Sequence, residues 1–258
     1  MSDGAGLAVE QRETTLWLTL ARPERRNALT VELVEAIGDA LAEADVRGTV
    51  RAAVLTGAGT AFCAGGDLPS LAGLAAAGAR SATDAIYSRF HRMVALLGSV
   101  SFPVIAAVNG PAMGAGLDLA LACDLRVAAS GARFASSWIN VGLVPGMGGA
   151  HLLTRAVGAT RAAELVLLGR TVDAATALSW GLVNSVVPGE DLLAEAGAVA
   201  DRFAELNKAA VHSSKASLRR AGLPAFETEL AAMGAVQGGL LASEEFQEFA
   251  ERMIHNSR

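Results

Sequence analysis

Two short runs of small residues are where this 258-residue chain could do chemistry: Phe62-Cys63-Ala64-Gly65-Gly66-Asp67 and Asn109-Gly110-Pro111-Ala112-Met113-Gly114-Ala115-Gly116-Leu117-Asp118. Small side chains leave the backbone bare, so each run can turn its own N–H groups toward a ligand. Two such turns brought together can grip one oxygen, and donors fixed in advance stabilise charge developing on a carbonyl. If a helix opens near Gly114, the Ala115 N–H falls in its first turn, where donors lack intrahelical partners and the helix dipole is positive. Asp118 stands three residues on, on the same face. A carboxylate there can take or give a proton beside a polarised carbonyl. It can equally be a first-turn acid that complements the dipole.

The elements that must position these turns are legible as hydrophobic periodicity. Residues 52–56 and 103–108 are apolar runs that read as buried strands, each leading into one of the turns. Residues 15–20 alternate like a strand, and 22–27 break it. Thr30 reads as the N-cap of a helix running to about Asp45, with Leu33, Ile37 and Leu41 on one face. Residues 72–79 are Ala-rich and read as a loop or a helix, followed by a helix over about 84–97. Further helices are expected over 115–122, 151–157, 161–168 and 174–180, with strands at 125–128 and 183–187. From Asp191 the pattern is helical, broken near Asn207 and at Gly222-Leu223-Pro224. Early alternation and late helices predict an α/β core over 1–200 and a helical region over 201–258.

Composition narrows the function. A formal charge of −5, a pI near 5.4 and only two lysines, Lys208 and Lys215, argue against a nucleic-acid surface, which needs clustered cations. Cys63 and Cys123 are the only cysteines and lack metal-ligand spacing, so neither a disulfide framework nor a metal site is expected. Reduced thiols suit a cytoplasmic protein. Residues 1–13 are polar without the apolar core of a signal, and no segment approaches the roughly 20 apolar residues of a membrane span.

Further motifs lie in the same order along the chain: Arg22-Pro23-Glu24-Arg25-Arg26-Asn27-Ala28-Leu29, Ala122-Cys123-Asp124-Leu125-Arg126, Gly142-Leu143-Val144-Pro145-Gly146 and Trp180-Gly181-Leu182-Val183. With the two turns, they make the chain resemble the crotonase, or enoyl-CoA hydratase/isomerase, superfamily from about Val9 to Asp201. The resemblance implies a spiral of repeated ββα units. It also implies a homotrimer or dimer of trimers, with the C-terminal helices at the contacts and covering the active site.

By position, the resemblance implies that Ala64 and Ala115 donate backbone N–H groups to the oxygen of an acyl-CoA thioester. Arg25, Arg26 and Ala28, with the loop Ala64, Gly65, Gly66, Asp67 and Leu68, would surround coenzyme A, and the arginines would attract its phosphates. Taken alone, Arg25 and Arg26 also fit a solvated basic turn. Gly114, Trp138 and Gly142 are carried over as pocket positions. Coenzyme A would arrive as part of the substrate, with no permanently bound cofactor.

The chain departs from the hydratase pattern at one catalytic position. Typical hydratases hold water between two glutamates, one where Asp118 stands and one where Trp138 stands. Trp138 cannot be a base; it can wall an acyl pocket, stack on a flat acyl group or fill core space. His91 and Trp138 also correspond to positions in chlorobenzoyl-CoA dehalogenases, whose nucleophilic aspartate falls at Gly146 here. The first functional expectation is therefore enoyl-CoA hydration with Asp118 as acid/base. Double-bond isomerisation by a single carboxylate is the alternative, and a non-catalytic acyl-CoA binder is a third reading.

Overall fold

In a computed structural model, which describes residues 4–76, 78–221 and 223–255, nine strands form two sheets. The larger sheet has the order β1 (Leu7–Arg12), β2 (Thr15–Leu20), β3 (Ala52–Gly57), β4 (Val104–Val108), β6 (Leu125–Ala129), β9 (Ser185–Val187). All its neighbours are parallel except the β1/β2 hairpin. The smaller sheet joins β5 (Ala112–Met113), β7 (Arg133–Ala135) and β8 (Thr171–Asp173). β1 was not expected from the sequence: its residues past Leu7 are largely exposed, so no buried face announces it. Residues 1–3, part of the polar stretch 1–13 noted above, and Gly222 of the expected break lie outside the described residues.

Two consecutive units show how the spiral forms. β4 sits in the large sheet, β5 in the small one, and helix α5 follows; β6, β7 and helix α6 repeat that path. The eleven α-helices of the described residues are α1 (Val31–Arg47), α2 (Leu68–Ala76), α3 (Ala79–Ala85), α4 (Arg92–Ser99), α5 (Ala115–Ala122), α6 (Gly149–Leu168), α7 (Ala174–Ser179), α8 (Leu192–Glu205), α9 (Lys208–Arg220), α10 (Leu223–Leu241) and α11 (Glu244–His255). The Thr30 side chain caps α1 by accepting from the Leu33 N–H, as its residue type predicts. The two helices expected over 151–157 and 161–168 are one segment, α6, interrupted where Gly158 takes φ +78°.

Strand side chains alternate between two cores. Ala53, Leu55, Val104 and Ala106 face the main core with α1, α4 and α5, whereas Ala52, Val54, Ile105 and Ala107 face α8 through Leu192, Ala196 and Ala200. The division drawn at 200/201 therefore falls inside α8, which belongs to the packed sheet. Beyond it, Lys215 of α9 is buried and ties that helix down, donating to Leu97 O and Phe102 O at 2.8 Å and to Asp124 Oδ2 at 2.7 Å. Helices α10 and α11 lie across α2 and α3.

Candidate active site

The two small-residue turns meet. Cys63 N–H donates to Pro111 O at 3.1 Å and Met113 N–H returns a bond to Cys63 O at 3.0 Å. Glycines permit the approach: a Cβ at Gly116 would lie 2.2 Å from Cys63 O, and one at Gly65 would lie 3.0 Å from Met113 O and 3.8 Å from the Ala115 nitrogen. On its other side the first turn is stitched to residues 26–29, with Ala64 N–H on Arg26 O, Leu29 N–H on Gly65 O and Asp67 N–H on Leu29 O, at 2.8 to 2.9 Å. Asn27, fully buried, braces this turn through Nδ2 to Ala58 O and Ala61 O.

These bonds correct one expectation. The Ala64 N–H, expected to face a ligand, is already committed to Arg26 O. Among the described residues, the amides between Cys63 and Asp67 without an acceptor are those of Gly65 and Gly66. In the second turn, Gly114 N–H is spent on Ala135 O, while Ala115 opens α5 and its N–H has no intrahelical acceptor.

The meeting point lines a cavity of about 440 Å³. Of the expected residues, Arg25, Ala28, Ala64, Gly65, Gly66, Asp67, Leu68, Gly114, Ala115 and Trp138 line it. Arg26 does not: at φ +49° its backbone bends so that its carbonyl faces Ala64 instead. Gly142 does not either. At φ +71° it ends the 3-10 turn Ser137–Val141, and the flanking Val141 and Leu143 reach the wall in its place. The sequence reading missed Leu71, which closes on Gly66, and Met253 of α11, which joins the wall from the far end of the chain. Asp67 is held by Arg22, Nη2 to Oδ2 at 3.2 Å, a partner that the basic run 22–27 contained without marking.

Asp118 also departs from expectation. Its carboxyl is fully buried and lies behind the wall rather than on it. Trp138, which does form wall, donates Nε1–H to Asp118 Oδ2 at 3.1 Å. Oδ1 has no hydrogen-bond partner and faces the start of α6, where a Cβ at Gly149 would lie 2.0 Å from it. Burial pushes the carboxyl up to about 8, against smaller opposing pulls from the Trp138 indole and the Met147 amide. His91 takes no part in the wall; its Nε2 sits 2.7 Å from Gly146 O. Among the described residues no group of His, Cys, Asp and Glu could hold a metal ion, and no helix is long and apolar enough to cross a membrane.

This geometry agrees with the likeness to known proteins. The family model for enoyl-CoA hydratase/isomerase matches residues 10–255. The chain belongs to the enoyl-CoA hydratase/isomerase family. A probable enoyl-CoA hydratase, echA8, of Mycobacterium leprae is 41% identical over 214 residues, 83% of this chain and 79% of its own. The crystal structure of an enoyl-CoA hydratase/isomerase from Mycobacterium paratuberculosis superposes with a TM-score of 0.90 at 31% identity, covering 96% of this chain and 98% of that one. A monofunctional enoyl CoA isomerase from M. smegmatis gives 0.72 at 33% identity, over 84% and 93%. The crotonase-like spiral with a helical C-terminal region is thus the fold of this family member.

Proposed function

We propose that the cavity binds an acyl-CoA thioester, with its carbonyl oxygen between the N–H groups of Gly66 and Ala115 and coenzyme A along Arg25, Ala28 and the 64–68 loop. The observation that carries this is the pair of unengaged amides on two turns in contact, both on one cavity wall. Gly66 is chosen over Gly65 because backbone N–H groups alternate in extended chain, and Asp67 already faces Leu29. Two such donors hold the enolate oxygen formed when a proton leaves the α-carbon or when the oxygen of water adds to the β-carbon, each supplying roughly 3 to 4 kcal/mol. Asp118, one helical turn from Ala115, is the proposed acid/base. Coenzyme A comes and goes with the substrate, and α11 covers the cavity of its own chain through Met253.

The first activity is hydration of a 2-enoyl-CoA or its reverse, the activity named for the M. leprae relative. A second reading, double-bond isomerisation, is favoured by Trp138, which puts an indole where a second acid would hold water. One carboxyl can carry a proton from the α-carbon to the γ-carbon without adding oxygen. Incubation with enoyl-CoA isomers in heavy-oxygen water, read by mass spectrometry, separates them. Label uptake means hydration, positional change without label means isomerisation, and inert thioesters across the panel overturn both.

A further inference from the structure

Trp138 and Asp118 form a unit that the pairing of two acids would not predict. Both side chains are buried, and the indole N–H donates to Oδ2 while the Met147 amide adds a weaker pull on the same carboxyl. One glycine makes room for the pair: the carboxyl presses on Gly149, where any Cβ would collide with it, while the ring packs over Gly114 at ordinary contact distance. The two oxygens are thereby distinguished. Oδ1 faces α6, while Oδ2 lies at the residue that forms the cavity wall.

Resting on Asp118 as the acid/base of the proposed function, we propose that Trp138 is a positioning residue that acts through Asp118, its Nε1–H fixing Oδ2 as the atom that exchanges a proton with the substrate. A carboxylate oxygen has two lone pairs; the indole takes one and leaves the other for the proton. In the forward step the α C–H bond breaks, its electron pair becomes the enolate whose charge settles on the thioester oxygen, and the proton bonds to Oδ2. Reversal of that step at the γ-carbon, or transfer of the proton to the hydroxyl departing from the β-carbon, returns Asp118 to its starting form; hydration is the second path run backwards, with water giving the proton to Oδ2. The indole bond favours the ionised carboxyl, because an N–H donor is attracted more to a charged acceptor than to a neutral one.

The titratable groups on the elements packed against α5 are Cys63 of the first turn, His91 ahead of α4, Cys123 after α5, and His151 and Glu164 of α6, where Glu164 is paired with Arg170 and Arg161 lies over the Trp180 ring. Arg92 of α4 is turned to Asp39, and Arg155 of α6 lines a different cavity. The upward displacement of Asp118 comes from burial, opposed by the indole and the Met147 amide, rather than from any of these.

The test compares wild type, Asp118→Asn and Trp138→Phe by pH–rate profile on an enoyl-CoA that turns over. The limb that Asp118→Asn removes is expected to move up by about one pH unit in Trp138→Phe. In the same variant kcat should fall roughly tenfold with KM within about threefold. An unchanged limb and kcat in Trp138→Phe overturns the positioning role while leaving Asp118 as acid/base. A wild-type profile that Asp118→Asn does not alter overturns the proposed role of Asp118 itself. A second measurement needs neither turnover nor a ring substitution. In wild-type protein with ¹⁵N-labelled indoles, the Trp138 N–H resonance is expected to titrate with Asp118 and to become flat in Asp118→Asn; a flat wild-type resonance overturns the proposal.

Discussion

Asp118 and Asp124 bracket one short helix and are held in opposite ways. Asp124, just past the end of α5, accepts from the Val104 N–H at 2.8 Å and from the Lys215 ammonium at 2.7 Å. Its charge is answered by a full opposite charge. Asp118, in the first turn of the same helix, has an indole N–H on one oxygen, nothing on the other, and no cation. A carboxylate that answers a buried cation locks elements together; a buried carboxyl left without a cation retains a proton that can be moved near neutral pH. The two also differ in burial: Asp118 is fully buried, whereas Asp124 is exposed. Partner and burial together decide whether the group staples or reacts.

The sharpest way to break that contrast is to neutralise each acid in turn. Asp118→Asn is expected to lower kcat by about 10²- to 10⁴-fold while acyl-CoA binding, followed by titration with an unreactive saturated thioester, is retained. Asp124→Asn should keep turnover within about threefold and lose stability instead, since it strands Lys215. Comparable losses of kcat in the two variants would erase the distinction.

Next in size is removal of the cation. Lys215 is 7% exposed and its three bonds join α9 to the end of α4, the approach to β4 and the end of α5. Lys215→Met leaves two carbonyls without a donor and the exposed Asp124 without its partner, so unfolding in urea is expected to show a loss of about 1 to 3 kcal/mol. Activity of the folded fraction at low temperature should stay near that of wild type. A midpoint unchanged in urea would mean that the pair contributes nothing net, as some buried pairs do.

The same contrast shows where sequence reading reached and where it stopped. Thr30 as a cap, α5 opening after Gly114 and the break at Gly158 were legible, because each depends on one residue's local chemistry. The resemblance supplied the family and brought the two turns together. It could not supply the direction of an individual amide: Ala64 and Gly66 are two residues apart in one turn, and only the bonds to Arg26 and Leu29 decide which N–H is free. Residue type likewise did not reveal that Trp138 reaches Asp118, since an apolar-faced indole reads as core until its N–H finds an acceptor. Met253 reaches the cavity through the path of α10 and α11, a tertiary matter that the helical pattern of 223–255 leaves open.

The last effect is the most direct measure of how Asp118 is held. With burial pushing its carboxyl from the ordinary 3.8 up to about 8, the folded protein keeps this proton over a range of pH in which the unfolded chain has released it. Folding thus binds a proton, and the contribution from this group is full below about pH 4, then declines as pH rises toward 8. The slope is at most about 1.4 kcal/mol per pH unit within that window, and other ionising groups overlay it. Asp118→Asn removes the titration, so the stability difference between variant and wild type should shift in the variant's favour from pH 5 to pH 8. Urea unfolding at those two pH values measures the shift. Parallel curves would show that the carboxyl ionises in the fold as readily as in the open chain, and the contrast with Asp124 would then rest on geometry alone.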